Sequence, residues 1–117
     1  MSLLYIGFFI CLVGTILLNW LFFSELIRIE YEKFRIKWFE DGEPLGMFYT
    51  PPESSLFKGT LSRSKLLRKW VFVKPDWIER DASAAKFYKY FRLTGIIYYS
   101  QILLIIISFI VIFLKQS

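Results

Sequence analysis

From Leu93 to Leu114 the chain carries no charged residue, and from Ile102 to Leu114 only Ser108 interrupts the apolar run. A helix of that length, rising about 1.5 Å per residue, covers roughly the 30 Å hydrocarbon thickness of a bilayer. The chain has 117 residues, and a soluble domain so small has no core able to hide such a rod. A second uncharged run, Leu3 to Phe23, is also long enough to span. It lacks the make-up of a cleavable signal. No Lys or Arg precedes Arg28, the apolar stretch is too long, and Asn19-Trp20-Leu21-Phe22-Phe23 is too bulky for a cleavage site. The first run therefore reads as an uncleaved anchor.

Charge is partitioned between these runs. Fourteen of the fifteen Lys/Arg and all ten Asp/Glu lie between Ser24 and Thr94, leaving only Lys115 outside. The positive-inside rule then places the middle of the chain in the cytoplasm and both termini outside it. The expected architecture is an all-α membrane protein, an antiparallel two-helix transmembrane hairpin with a small, mostly helical cytoplasmic connector. Its parts are residues 3–23 as the first span, 24–92 as a basic, aromatic connector with amphipathic helices, and 93–114 as the second span. Trp20, Phe22, Phe23, Tyr98 and Tyr99 would form an inner interfacial belt, with Tyr5 as its outer counterpart.

Two joined spans should pack together. Gly7, Cys11 and Thr15 are spaced by four and form a small-residue stripe that permits close helix approach, with Ser100 and Ser108 placed to face it. Cys11 reads as a packing residue rather than a lipidation or redox site. Thr15 and Gln101 reach similar depth, and Asn19 lies about one turn shallower. An amide in hydrocarbon is costly without a partner. Gln101 is expected to hydrogen-bond across the pair or to another subunit, the alternative being a carbonyl of its own helix.

Residues 26–38 carry two conflicting patterns. Trp20, Ser24, Ile27, Tyr31, Phe34 and Trp38 recur at helical spacing, whereas Ile27, Ile29, Tyr31 and then Phe34, Ile36, Trp38 alternate as in a strand. Helix is favoured because no breaker separates this stretch from the first span. Asp41-Gly42, Pro44 and Gly46 signal a turn, and Pro51-Pro52 an extended linker. The stretch 54–75 holds six basic residues and no acid, whereas 24–53 holds seven acids and four bases, so the two could attract. Ser64 is a candidate cap for a short helix with Leu66, Leu67, Trp70 and Val71 on one face, although 66–73 also fits a short strand. Asp76 or Asp81 can cap a helix running on to about Lys115. The candidate contacts to lipid headgroups are Arg63, Lys65, Arg68 and Lys69 in the first basic stretch, and Lys86, Lys89 and Arg92 at the second span's entrance.

The sequence contains no histidine, no Gly-rich phosphate loop and no Cys/His metal set, which points away from an enzyme and gives no cofactor, metal or catalytic residue to name. No nucleic-acid-binding motif accompanies the basic residues, so membrane lipid is the favoured partner over nucleic acid. The 24 aromatic residues exceed what two spans need and argue for contacts with a larger membrane complex or a homo-oligomer. The leading reading is a non-enzymatic accessory or regulatory subunit, or a self-assembling scaffold. The competing one is an oligomeric membrane-permeabilising effector of holin or defence-toxin type.

Three stretches carry a family likeness: Asp41-Gly42 followed by Met47-Phe48-Tyr49, the run Lys65-Leu66-Leu67-Arg68-Lys69-Trp70, and Phe91-Arg92-Leu93-Thr94-Gly95. With the two-span plan, they resemble universal stress protein B, a family of small bacterial membrane proteins. The chain departs from that pattern between Trp70 and Phe91, in length and in lacking histidines and an acidic cluster. The resemblance implies a multi-pass protein of the bacterial inner membrane, linked to stress physiology, with no chemistry to transfer.

Overall fold

The computed structural model describes residues 2–116. Four α-helices follow one another: α1 (Ser2–Lys33), α2 (Arg35–Glu40), α3 (Leu56–Phe72) and α4 (Ala82–Gln116), with a short 3-10 turn at Ile78–Arg80 before α4. No strand occurs among the described residues. Helices α1 and α4 are both long and apolar enough to cross a membrane.

The ambiguous stretch 26–38 is helical up to Lys33. Phe34 then leaves helical geometry (φ −131°, ψ 54°), and α2 restarts at Arg35. The break redirects the chain so that Trp38 is fully buried and its indole N–H donates to the Pro44 carbonyl at 3.0 Å. The Asp-Gly turn forms as its composition predicts, with Gly42 at φ +92°. Ser62 of α3 donates its hydroxyl hydrogen to the Gly42 carbonyl at 2.7 Å, which ties this turn to α3.

Helix α3 starts eight residues before Ser64, so Ser64 lies mid-helix and caps nothing. The strand alternative for 66–73 is also set aside, because α3 continues to Phe72 and only Val73 is extended. Asp81 does cap α4: its Oδ1 accepts from the Ala84 N–H at 2.9 Å, and its Oδ2 accepts from Lys33 Nζ at 2.6 Å.

The core lies beside the C-terminal half of α1 and the N-terminal half of α4. Phe23, Leu26, Ile27 and Ile29 of α1 meet Leu66, Trp70 and Val71 of α3, then Trp77 and Ile78, then Ala84, Tyr88 and Phe91 of α4. Ring centroids of Phe23 and Trp70 are 5.6 Å apart, those of Phe23 and Phe91 5.8 Å, and those of Trp70 and Trp77 5.9 Å. Each such side chain contributes about 1.5–3 kcal/mol by leaving water. Much of the aromatic excess is thus spent internally. The face of Leu66, Trp70 and Val71 packs on protein, with Leu67 half-buried beside it. Beyond this core the rods are bare: Leu3 is 82% exposed and Phe109 68%.

Candidate functional site

The cations between Ser24 and Thr94 divide into two groups. Arg28 pairs with Glu25 at 2.6 Å and Glu32 at 3.3 Å, Lys33 with Asp81, Arg35 with Glu53, Lys37 with Asp76 at 3.0 Å, Lys58 with Glu43 at 3.6 Å, and Lys74 with Glu79. Lys58–Glu43 is the pair that joins the acidic stretch 24–53 to the basic stretch 54–75. By contrast, Arg63, Lys65, Arg68, Lys69, Lys86, Lys89 and Arg92 have no carboxylate at ion-pairing distance among the described residues, and neither does Arg80. The seven candidate headgroup contacts are therefore all uncompensated.

Helix α3 carries the first four of them. It is anchored where the uncharged run of α4 begins. Tyr88 donates its hydroxyl hydrogen to the Trp70 carbonyl at 2.8 Å, and the Phe72 ring lies 5.7 Å from Tyr99. Val71 sits over Gly95 so closely that a Cβ there would come within 2.6 Å of Val71 Cγ2. The buried side of α3 is Gly59, Leu66, Trp70 and Val71. The outer side exposes Phe57, Leu61 and Lys65, while Arg68 and Phe72, also exposed, lie at its edge toward α4, so apolar and cationic groups mix at helical spacing.

Between α3 and the two long helices lies a cleft of about 380 Å³. Ile16, Asn19 and Trp20 come from α1, Ser64, Leu67, Arg68 and Val71 from α3, and Gly95, Tyr98 and Tyr99 from α4. Asn19 fixes its depth. Its Nδ2 donates to the Phe91 carbonyl at 3.0 Å and to Thr94 Oγ1 at 3.2 Å, bridging α1 and α4.

The other candidate packing residues sit differently. A Cβ on Gly7 would meet nothing within 4 Å, and Cys11 is exposed. Thr15 donates to the Cys11 carbonyl of its own helix at 2.8 Å. Among the described residues Gly7 thus faces open space and Cys11 is exposed, while Thr15 is half-buried. Within this chain Gln101 bonds neither across the pair nor to a carbonyl of its own helix, and its Oε1 is buried without a hydrogen-bond partner among the described residues.

A second site has no counterpart in the sequence reading. Glu30 is fully buried, and among the described residues neither carboxylate oxygen has a partner in hydrogen-bonding geometry; the same holds for the Trp77 indole N–H. Burial, reinforced by nearby Asp41, pushes the Glu30 carboxyl up to about 10, against a smaller opposing effect of the Trp77 indole. Glu30 is thus a neutral acid at physiological pH. A signal for it existed: Glu30 lies three residues after Ile27 and four before Phe34, on the buried stripe of α1. The adjoining groove, about 230 Å³, mixes Asp41, Asp76 and Trp77 with Lys37, Lys69 and Lys74.

The chain matches no protein-family model, no curated protein and no solved structure.

Proposed function

We propose that this chain is a non-enzymatic, two-span inner-membrane protein that serves as an accessory or regulatory subunit, or as a self-assembling scaffold, through protein and lipid contacts. Residues 3–23 and 93–114 cross the bilayer as an antiparallel hairpin, residues 24–92 lie on the cytoplasmic side, and both termini lie outside. Contact order supports the hairpin: Asn19 reaches Phe91 and Thr94, Phe22 reaches Phe87 and Tyr90, and Lys33 reaches Asp81.

The observation that carries this reading is the division among the cations. Apart from Arg80, the cations between Ser24 and Thr94 that are left without carboxylates gather on α3 and on the first turns of α4, next to the uncharged run. Anionic headgroups would lie at that level, contributing about 1 kcal/mol per Lys or Arg. Both rods offer apolar sides to a further membrane helix, and Gly7 and Gly14 open onto free space there. The stress-related part of the reading rests on the family resemblance alone.

Affinity capture at native expression in mild detergent tests the proposal. A stoichiometric membrane partner or a defined homo-oligomer is expected, and a clean monomer would count against it. The exposed Phe57, Leu61 and Phe72 beside Lys65 and Arg68 keep the permeabilising reading as the rival. Depolarisation on overexpression, read with a potential-sensitive dye and without any partner, would favour that rival.

A further inference from the structure

We infer that the cleft between α1, α3 and α4 is a binding site for one anionic phospholipid, with its phosphate on Arg68 and an acyl chain running past Leu67 and Ile16 along the groove between the long helices. This inference rests on the two-span reading, because it needs the cleft to open at the membrane surface.

Four observations converge on that ligand. The cleft has a volume of about 380 Å³, large enough for a headgroup with the first part of a chain but not for a whole lipid. Its wall changes character along its length: Arg68 and Ser64 are polar, Ile16, Leu67 and Val71 are apolar, and the rings of Trp20, Tyr98 and Tyr99 are amphipathic. Arg68 is exposed and has no carboxylate partner among the described residues, so its planar donor fork is free for a phosphate. The polar floor is already satisfied, since the Asn19 amide donates to Phe91 and Thr94. That floor asks nothing of a ligand beyond shape, and the recognition falls on the rim. A soluble anion would satisfy Arg68 but leave the apolar wall wet. A zwitterionic lipid would bring an ammonium to a site that has no carboxylate to receive it. Of the unpaired cations, Arg68 is the one that lines this cleft, which separates it from the diffuse headgroup contacts of Lys86, Lys89 and Arg92.

The test uses the full chain in nanodiscs containing equal amounts of phosphatidylglycerol and phosphatidylcholine, released into native mass spectrometry. One phosphatidylglycerol should stay bound to each chain, favoured over phosphatidylcholine by about tenfold, the scale of one charge-assisted contact. Arg68→Gln should abolish that preference, whereas Lys89→Gln, outside the cleft, should keep it. Ser64→Phe, which fills the cleft from an exposed helix position, should expel the lipid and gives the same answer if Arg68→Gln fails to fold. Equal retention of the two lipids, or retention unchanged in both cleft variants, would overturn the inference. Carbonate extraction separates this failure from that of the broader reading. A chain released as soluble sinks both, and a chain that stays integral without an Arg68-dependent lipid sinks only the cleft site.

Discussion

Folding encloses the Glu30 carboxyl and keeps its proton to about pH 10, while the unfolded chain releases it near 4.5. Between those values the unfolded state holds fewer protons, so stability is complete below the lower value and falls as pH rises toward the upper one. Glu30→Gln removes the titrating group while keeping the shape. We expect the variant to be the more stable protein above neutrality, by at least about 1 kcal/mol at pH 8, with the advantage vanishing near the pH at which free carboxylates titrate. Thermal unfolding in detergent, followed by circular dichroism across pH, reads this directly; a difference independent of pH would refute it. Asp81 has the opposite sign. The Lys33 ammonium, helped by the Ala84 N–H, holds its carboxyl below the usual range. Its contribution is present above about the ordinary carboxylate pKa and is lost as pH falls through the depressed value. Asp81→Ala should cost about 1 kcal/mol at neutral pH through the lost cap, and the deficit should shrink in strong acid.

At the level of helices, the two long apolar elements were legible because nothing in them competes. No charge or proline interrupts either run, and the helix expected from Asp81 to Lys115 is present as Ala82–Gln116. α3 was harder to read. Its two faces are both partly apolar, one by Leu66, Trp70 and Val71 and the other by Phe57, Leu61 and Phe72, so amphipathicity alone could not say which faces protein. The deciding feature is Gly95, seventy-six positions along from Asn19 and invisible to any local pattern, which lets α3 dock on α4. Adding a methyl there forces Val71 to move. Gly95→Ala should therefore destabilise despite its better helix propensity, by about 1–2 kcal/mol net, and Val71→Ala in the same chain should recover most of the loss. Gly7→Ala, which meets open space, should be neutral or slightly stabilising. Melting curves of the three variants in one detergent check the set, and equal effects at Gly95 and Gly7 would contradict the docking.

For the molecule as a whole, the partition of charge allows a topological prediction. Reporter fusions at either end should be active only outside the cytoplasm, and a tag inserted at Pro52 only within it; the opposite pattern would reverse the orientation argued from the basic residues. The two long apolar helices were readable because they depend on runs of composition. The buried acid was not singled out, although its register on α1 was available, because its surroundings include Trp77, which arrives from a distant part of the chain, as well as Asp41 at the end of α2. The same non-local character bears on biogenesis. Phe23 closes against Trp70 and Phe91, so a ribosome that has delivered the first rod leaves it with an uncovered aromatic flank until α3 and the start of α4 have emerged. Premature termination anywhere before α4 would strand that flank, giving cellular proteolysis a clear mark by which to recognise an unfinished product.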